Sequence, residues 1–112
     1  MIFFKNEVNA ENPCEIFFEA LEDDISFGSC KLILEKTKAV IKTIDFDKDK
    51  PFIAEGLIKS AFNYAALKNF YMGYCECENV DGFLDRMNLE KRDGVYFNDI
   101  PSILQGNCCK KH

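Results

Sequence analysis

The sequence has no tryptophan, one histidine, three prolines and no long apolar run. Each shortage removes an explanation. The histidine is the terminal residue, His112, which argues against a Cys/His catalytic dyad. Few prolines beside 47% hydrophobic residues and 11 Phe describe a packed globule rather than a disordered chain. The apolar stretches fall far short of a membrane span. The opening Met1-Ile-Phe-Phe-Lys-Asn-Glu7 turns charged after three apolar residues, unlike the apolar segment of a signal peptide. A cytoplasmic location is therefore expected. There the six cysteines (Cys14, Cys30, Cys75, Cys77, Cys108, Cys109) are expected to be free thiols. Basic residues are also short: 14 Lys and Arg against 19 Asp and Glu give a net charge of −5. That disfavours nucleic acid and anionic membranes as partners, because both are polyanions.

What is present fits one domain over 1–112, with 105–112 expected as a loose tail. A domain this size buries roughly two-thirds of its unfolded surface, enough for one core. There is no internal repeat and no low-complexity linker. Residues 1–13 read as an opening strand or arm ending in the polar turn Asn9-Ala-Glu-Asn-Pro13. Three β-type segments follow at 14–21, 26–35 and 38–46, separated by Glu22-Asp23-Asp24 and Lys36-Thr37. Connections this short predict an antiparallel meander.

Asp47-Lys-Asp-Lys-Pro51 breaks the strand pattern, and Pro51 suits a first helical turn, with Asp49 expected as the cap. From 52 to 68 the period is helical. Ile53, Leu57, Ala61 and Tyr64 form one stripe, with Ile58, Phe62 and Ala65 beside it. A strand at 70–76, a short helix at 80–87 with Phe83, Leu84 and Met87 as its apolar positions, and strand pieces around Asp93-Gly94 follow. Ile100-Pro-Ser-Ile-Leu104 is an apolar tail element. The predicted core includes Ile53, Leu57, Ala61 and Phe62, then Val40, Ile44, Phe83 and Ile33. The fold class is α/β (α+β): a mixed, mainly antiparallel sheet with one long and one short helix.

Cys75-Glu-Cys77 places two thiols on one side of an extended strand, and Cys108-Cys109 with His112 adds soft ligands. Zinc sites prefer spacers of two to four residues, and adjacent cysteines serve one tetrahedral ion poorly. No metal site is therefore expected, and Cys30 reads as a small core residue.

The order β-β-β-α-β-α-β, together with four segments, resembles the GNAT superfamily of N-acetyltransferases, in a small, shortened form with a Cys-Cys tail. Ile25-Ser-Phe-Gly28-Ser-Cys30 is similar to the family's early strand with its glycine. Ala39-Val-Ile-Lys-Thr-Ile-Asp-Phe46 is similar to the central strand that pairs with pantetheine. Asp49-Lys-Pro-Phe-Ile-Ala54 and the helix after it resemble the phosphate loop, and Phe83-Leu-Asp-Arg-Met-Asn-Leu-Glu90 the late aromatic segment. The likeness runs from Phe17 to about Leu104.

The resemblance implies acetyl-CoA as cofactor and an amine, on a small molecule or a protein, as acceptor. It places the cofactor on Ile44, Phe46, Phe52, Ile53, Ala54 and Glu55. The family's loop pattern Gln/Arg-x-x-Gly-x-Gly/Ala falls on Asp49, Phe52 and Ala54, of which only Ala54 conforms; Lys48 and Lys50 partly offset the charge of Asp49. The family's tyrosine acid falls at Leu84, which holds no proton to donate, and the glycine of the late segment falls at Asn88. Among Tyr64, Tyr71, Tyr74 and Tyr96, Tyr74 is the candidate replacement acid, and Asp45 or Asp47 the candidate base. With 13 residues before Cys14, no counterpart to the family's N-terminal acceptor-site helices is expected. The rival expectation is a non-catalytic GNAT-like binding domain with an ordinary helix start at 49–55. A shortened sheet would also leave an edge to pair, so a homodimer is expected.

Overall fold

The computed structural model describes residues 2–77, 80, 84 and 87–105. One seven-stranded sheet has the order β1-β2-β3-β4-β5-β7-β6. Its strands are β1 (Phe3–Asn9), β2 (Asn12–Glu22), β3 (Ile25–Glu35), β4 (Lys38–Phe46), β5 (Met72–Cys75), β6 (Glu90–Arg92) and β7 (Val95–Asp99). β1 to β4 are the expected antiparallel meander. β5 runs parallel to β4, while β5–β7 and β7–β6 are antiparallel. Helix α1 (Pro51–Leu67) is the crossover from β4 to β5, and a short helix, α2 (Ile100–Leu104), ends the described chain.

The turns explain the spacing. Asn9 Oδ1 accepts from Glu11 N at 2.9 Å and Asn12 Oδ1 from Cys14 N at 3.2 Å, so the polar turn closes on its own side chains. Asp23 and Asp24 both have positive φ (54° and 64°), the twist a two-residue hairpin demands. Asp93 and Gly94 do the same between β6 and β7 (54° and 82°).

Helix α1 is buried along Ile53, Leu57, Ile58, Ala61, Phe62 and Ala65, as its period predicts. It ends at a Schellman cap. Asn69 takes φ 72°, Phe70 N donates to Ala65 O at 3.0 Å, and Asn69 N to Ala66 O at 2.9 Å. Phe70 thus terminates the helix instead of starting the next strand, and β5 is shorter than the sequence predicts. In α2 the cap is a side chain: Asp99 accepts from Ser102 N at 2.9 Å and Ser102 Oγ at 3.0 Å.

Both helices lie on one face of the sheet. Gly73 on β5 shows this directly, because a Cβ there would meet Phe62 of α1 and Ile103 of α2. The core joins Ile16, Phe18, Leu32, Ile41 and Ile44 of the sheet to α1, with Val80, Leu84 and Met87 in the same cluster. Val40 is buried, but Ile33 is only half-buried. It pairs with Val40 on the face away from α1, where no described helix covers it. Phe83, and most of the short helix expected at 80–87, lie outside the described residues.

Candidate functional site

The sheet divides at one point. The β4–β5 ladder pairs Lys38–Met72, Ala39–Gly73, Val40–Tyr74 and Ile41–Cys75, and Glu76 N then donates to Ile41 O at 3.0 Å. No β5 residue pairs with β4 beyond Ile41, yet β4 continues to Phe46. At the same place the β3 register jumps from Leu32–Ile41 to Lys31–Thr43, leaving Lys42 as an extra residue in β4. A bulge turns its strand and increases the local twist, which carries the end of β4 away from β5. The result is a fork. Lys42 Nζ meets Glu76 Oε1 at 3.1 Å across its mouth, through side chains exposed enough that the pair adds little stability.

Helix α1 begins beside this fork, directly after β4. Asp47 shapes the connection: its Oδ1 accepts from Asp49 N at 2.9 Å and its carbonyl from Lys50 N at 2.8 Å. Lys50 is the N-cap and makes no side-chain cap bond. Asp49 therefore does not cap the helix as expected, because it sits one residue before the N-cap. A first turn without a side-chain cap leaves amide dipoles directed at the connection, an environment that favours anions. Gly28 on β3 brings this turn close to the sheet. A Cβ there would lie 2.8 Å from Asp45 O, 2.9 Å from Ile53 Cγ2 and 3.3 Å from Leu57 Cδ1. Gly56, by contrast, is a packing point beneath the Phe4 ring of β1.

The positions expected to hold a cofactor divide into two kinds. Ile44, Ile53 and Ala54 bury their side chains in the core, so only main-chain groups are left to a ligand. Phe46 and Glu55 are half-buried, and the Phe52 ring is 55% exposed at the helix start. Tyr74 and Asp45 are not brought together. Tyr74 pairs with Val40 and Asp45 lies five residues further along β4; allowing for the extra residue, roughly 13 Å of strand separates them. Asp45 is exposed.

Tyr74 belongs to an arrangement that the sequence pattern does not reveal. Its ring stacks on Phe97 with centroids 6.2 Å apart and planes 24° apart. Lys38 Nζ lies 5.2 Å from the Tyr74 centroid and Arg92 Cζ 5.1 Å from that of Phe97. Tyr74, Phe97 and Arg92 of this cation–ring–ring–cation ladder line a shallow cavity of about 210 Å³ together with Asp93 and Val95. The other tyrosines are placed otherwise: Tyr64 packs edge-on against Phe18, Tyr96 is buried, and Tyr71 is exposed. Leu84 is fully buried. The four described cysteines are free thiols, and no three metal-binding side chains cluster among the described residues. No helix among these residues is long and apolar enough to cross a membrane.

No protein-family model matches the chain, and no curated protein matches it in sequence. Solved structures do. A Klebsiella pneumoniae protein assigned as an acyl-CoA N-acyltransferase aligns at TM-score 0.76 and 11% identity, over 89% of this chain and 98% of its own. Escherichia coli YhhK, assigned as an N-acetyltransferase and bound to coenzyme A, aligns at 0.65 and 8% over 88% and 98%. The PaiA N-acetyltransferase of Thermoplasma acidophilum, in complex with coenzyme A, aligns at 0.58 and 19% over 74% and 59%. Together with the forked sheet and the β4–α1 connection, these likenesses settle the architecture: the chain has the GNAT fold.

Proposed function

We infer that this chain binds acyl-CoA at the fork and transfers its acyl group, acetyl in the simplest case, to an amine. The observation that carries the reading is the fork itself. β4 runs five residues past its last β5 partner, at the end of the sheet where α1 presents its first turn. An extended pantetheine arm pairs with a strand through backbone groups, so buried side chains at Ile44 and Ile53 are no obstacle. Pyrophosphate suits the helix N-terminus, with Lys48 and Lys50 beside it. Two neighbours of the same fold are coenzyme A complexes. Asp49 and the Phe52 ring oppose tight binding, one by charge and one by bulk.

Calorimetry and thermal melting with acetyl-CoA test this. Ligand at a hundred times its dissociation constant adds about 2.7 kcal/mol. Replacing Phe52→Gly and Asp49→Gln together should tighten binding. Absence of binding by both proteins would sink the reading and leave a non-catalytic GNAT-like domain. That alternative has its own support, since the buried Leu84 offers no proton where an acid is expected.

The acceptor is a small amine or a protein amine, Tyr74 is the acid and Asp45 the base. The chain acts in the cytoplasm, without nucleic acid or membrane. It pairs as a homodimer through a sheet edge. A monomer mass by light scattering at high concentration would remove the last of these.

A further inference from the structure

The cavity beside the Tyr74–Phe97 ring pair lies at the fork. Tyr74 pairs with Phe97 and Cys75 with Tyr96, so Val95, one step further on the antiparallel β7, is level with Glu76 at the mouth. A Cβ on Gly73 would face α1 and α2, so Tyr74 and Phe97 point the other way, onto the side of the sheet that no described helix covers. Tyr74, Val95 and Phe97 are half-buried there, and Arg92, which pairs with Val95, is exposed. The Arg92 guanidinium lies over the Phe97 ring, Cζ 5.1 Å from the centroid. That contact steadies the cation without engaging its N–H donors in a hydrogen bond to another acceptor. Among the described residues no carboxylate forms an ion pair with Arg92.

We propose that this cavity is the acceptor subsite and takes an ω-amino carboxylate, with the carboxylate on Arg92, the hydrocarbon chain along Val95 and Phe97, and the amine at the fork. This rests on the acyl-CoA reading above. A planar guanidinium matches a carboxylate through two parallel N–H···O bonds. Asp93 shares the cavity wall and the chain's net charge is −5, which favours a single carboxylate over a phosphate. Glu76, two residues beyond Tyr74, gives the ammonium end a carboxylate at the mouth. The register sets the length. Arg92 stands on β6, two strand spacings or roughly 10 Å from β5, and a hydrogen bond takes up roughly 3 Å of that. About five methylenes between amine and carboxylate cover the rest, at roughly 1.3 Å per bond. In the transfer the ammonium first gives one proton to solvent. The nitrogen then bonds to the thioester carbonyl carbon, the carbon–sulfur bond breaks, and the second proton passes to the departing coenzyme A thiolate.

The test compares two acceptors that differ only in charge at one end, ε-aminocaproate and its amide ε-aminocaproamide, with acetyl-CoA as donor. The wild type should acetylate the carboxylate with a kcat/KM at least roughly tenfold above that for the amide, the difference lying in KM. Arg92→Gln should erase that preference while keeping the thermal shift with acetyl-CoA, and Arg92→Lys should restore only part of it. Glycine, too short to span from Arg92 to the fork, should be a poor acceptor. Titration with ε-aminocaproate should move the ring-proton resonances of Tyr74 and Phe97 in the wild type and not in Arg92→Gln. A thermal shift with acetyl-CoA but no transfer to ε-aminocaproate, equal use of the two acceptors, or a preference that survives in Arg92→Gln would overturn the proposal and leave the acyl-CoA reading standing. So would a preference with the ring resonances unmoved. If acetyl-CoA does not shift the melt at all, both fall together.

Discussion

Gly73 is held between two helices. A Cβ there would come 2.7 Å from Phe62 Cε1 and 3.1 Å from Ile103 Cδ1, and both partners are fully buried. Gly73→Ala should therefore cost about 1–3 kcal/mol in urea unfolding, as overpacking does. Adding Phe62→Leu should recover part of that loss, a coupling that a double-mutant cycle reads directly. Glu15 makes a different residue-scale prediction. The Asn9 amide and the Lys31 ammonium, 3.1 Å away, hold its carboxyl below the ordinary 4.5. A depressed carboxyl lends stability above the ordinary value and loses it as the pH falls through the lowered one. Urea midpoints measured downward from pH 5 should fall more steeply for the wild type than for Glu15→Gln. Parallel slopes would show that the contact carries no linkage.

At the scale of elements, the β2–β3 turn holds two non-glycine residues at positive φ. Asp24 is held at φ 64°, a conformation that costs an L-residue about 1–2 kcal/mol and glycine almost nothing. Asp24→Gly should raise stability by about 1 kcal/mol, read from the denaturation midpoint with the slope unchanged. The elements themselves were largely legible. β4 falls on 38–46 as its apolar pattern predicts, and α1 differs from expectation by one residue at each end, because the 3.6-residue stripe from Ile53 to Ala65 has only one reading. The errors have physical causes. An apolar Phe70 next to Tyr71 predicts strand, but it closes a Schellman cap, whose signal is the backbone of Asn69. Asp49 is a good capping residue, but the helix begins one residue too late for it, with Lys50 at the N-cap. Ile33 has the composition of a core residue and lies on the face that no described helix covers. The fork was not legible at all, since it depends on one extra residue in β4 and on where a parallel ladder stops.

For the whole molecule, the buried thiols report on the integrity of the layer between sheet and helix. Burial pushes Cys30 up to about 12, with the nearby Cys75 sulfur adding to the effect. Its folded value lies above its unfolded one, so its contribution to stability is intact below about pH 9 and drains away up to about pH 12. The loss approaches 1.4 kcal/mol per pH unit for such a group within that window. Cys30→Ala should start less stable but lose less between pH 9 and 11, and equal losses would contradict this. At neutral pH the exposed Cys14 should react with a disulfide reagent at once. Cys30 and Cys75 should react only as fast as the fold opens.

The four-rung join between β4 and β5 also divides the architecture mechanically. On one side lie four strands tied by long ladders, on the other three short ones, and the seam between them is sewn by Lys38–Ile41 against Met72–Cys75 and strapped by α1. A load pulling the two halves apart meets its least resistance there. Amide exchange at Gly73 and Cys75 should accordingly precede exchange in the β2–β3 ladder, so that the molecule yields first along the line at which its fork already begins.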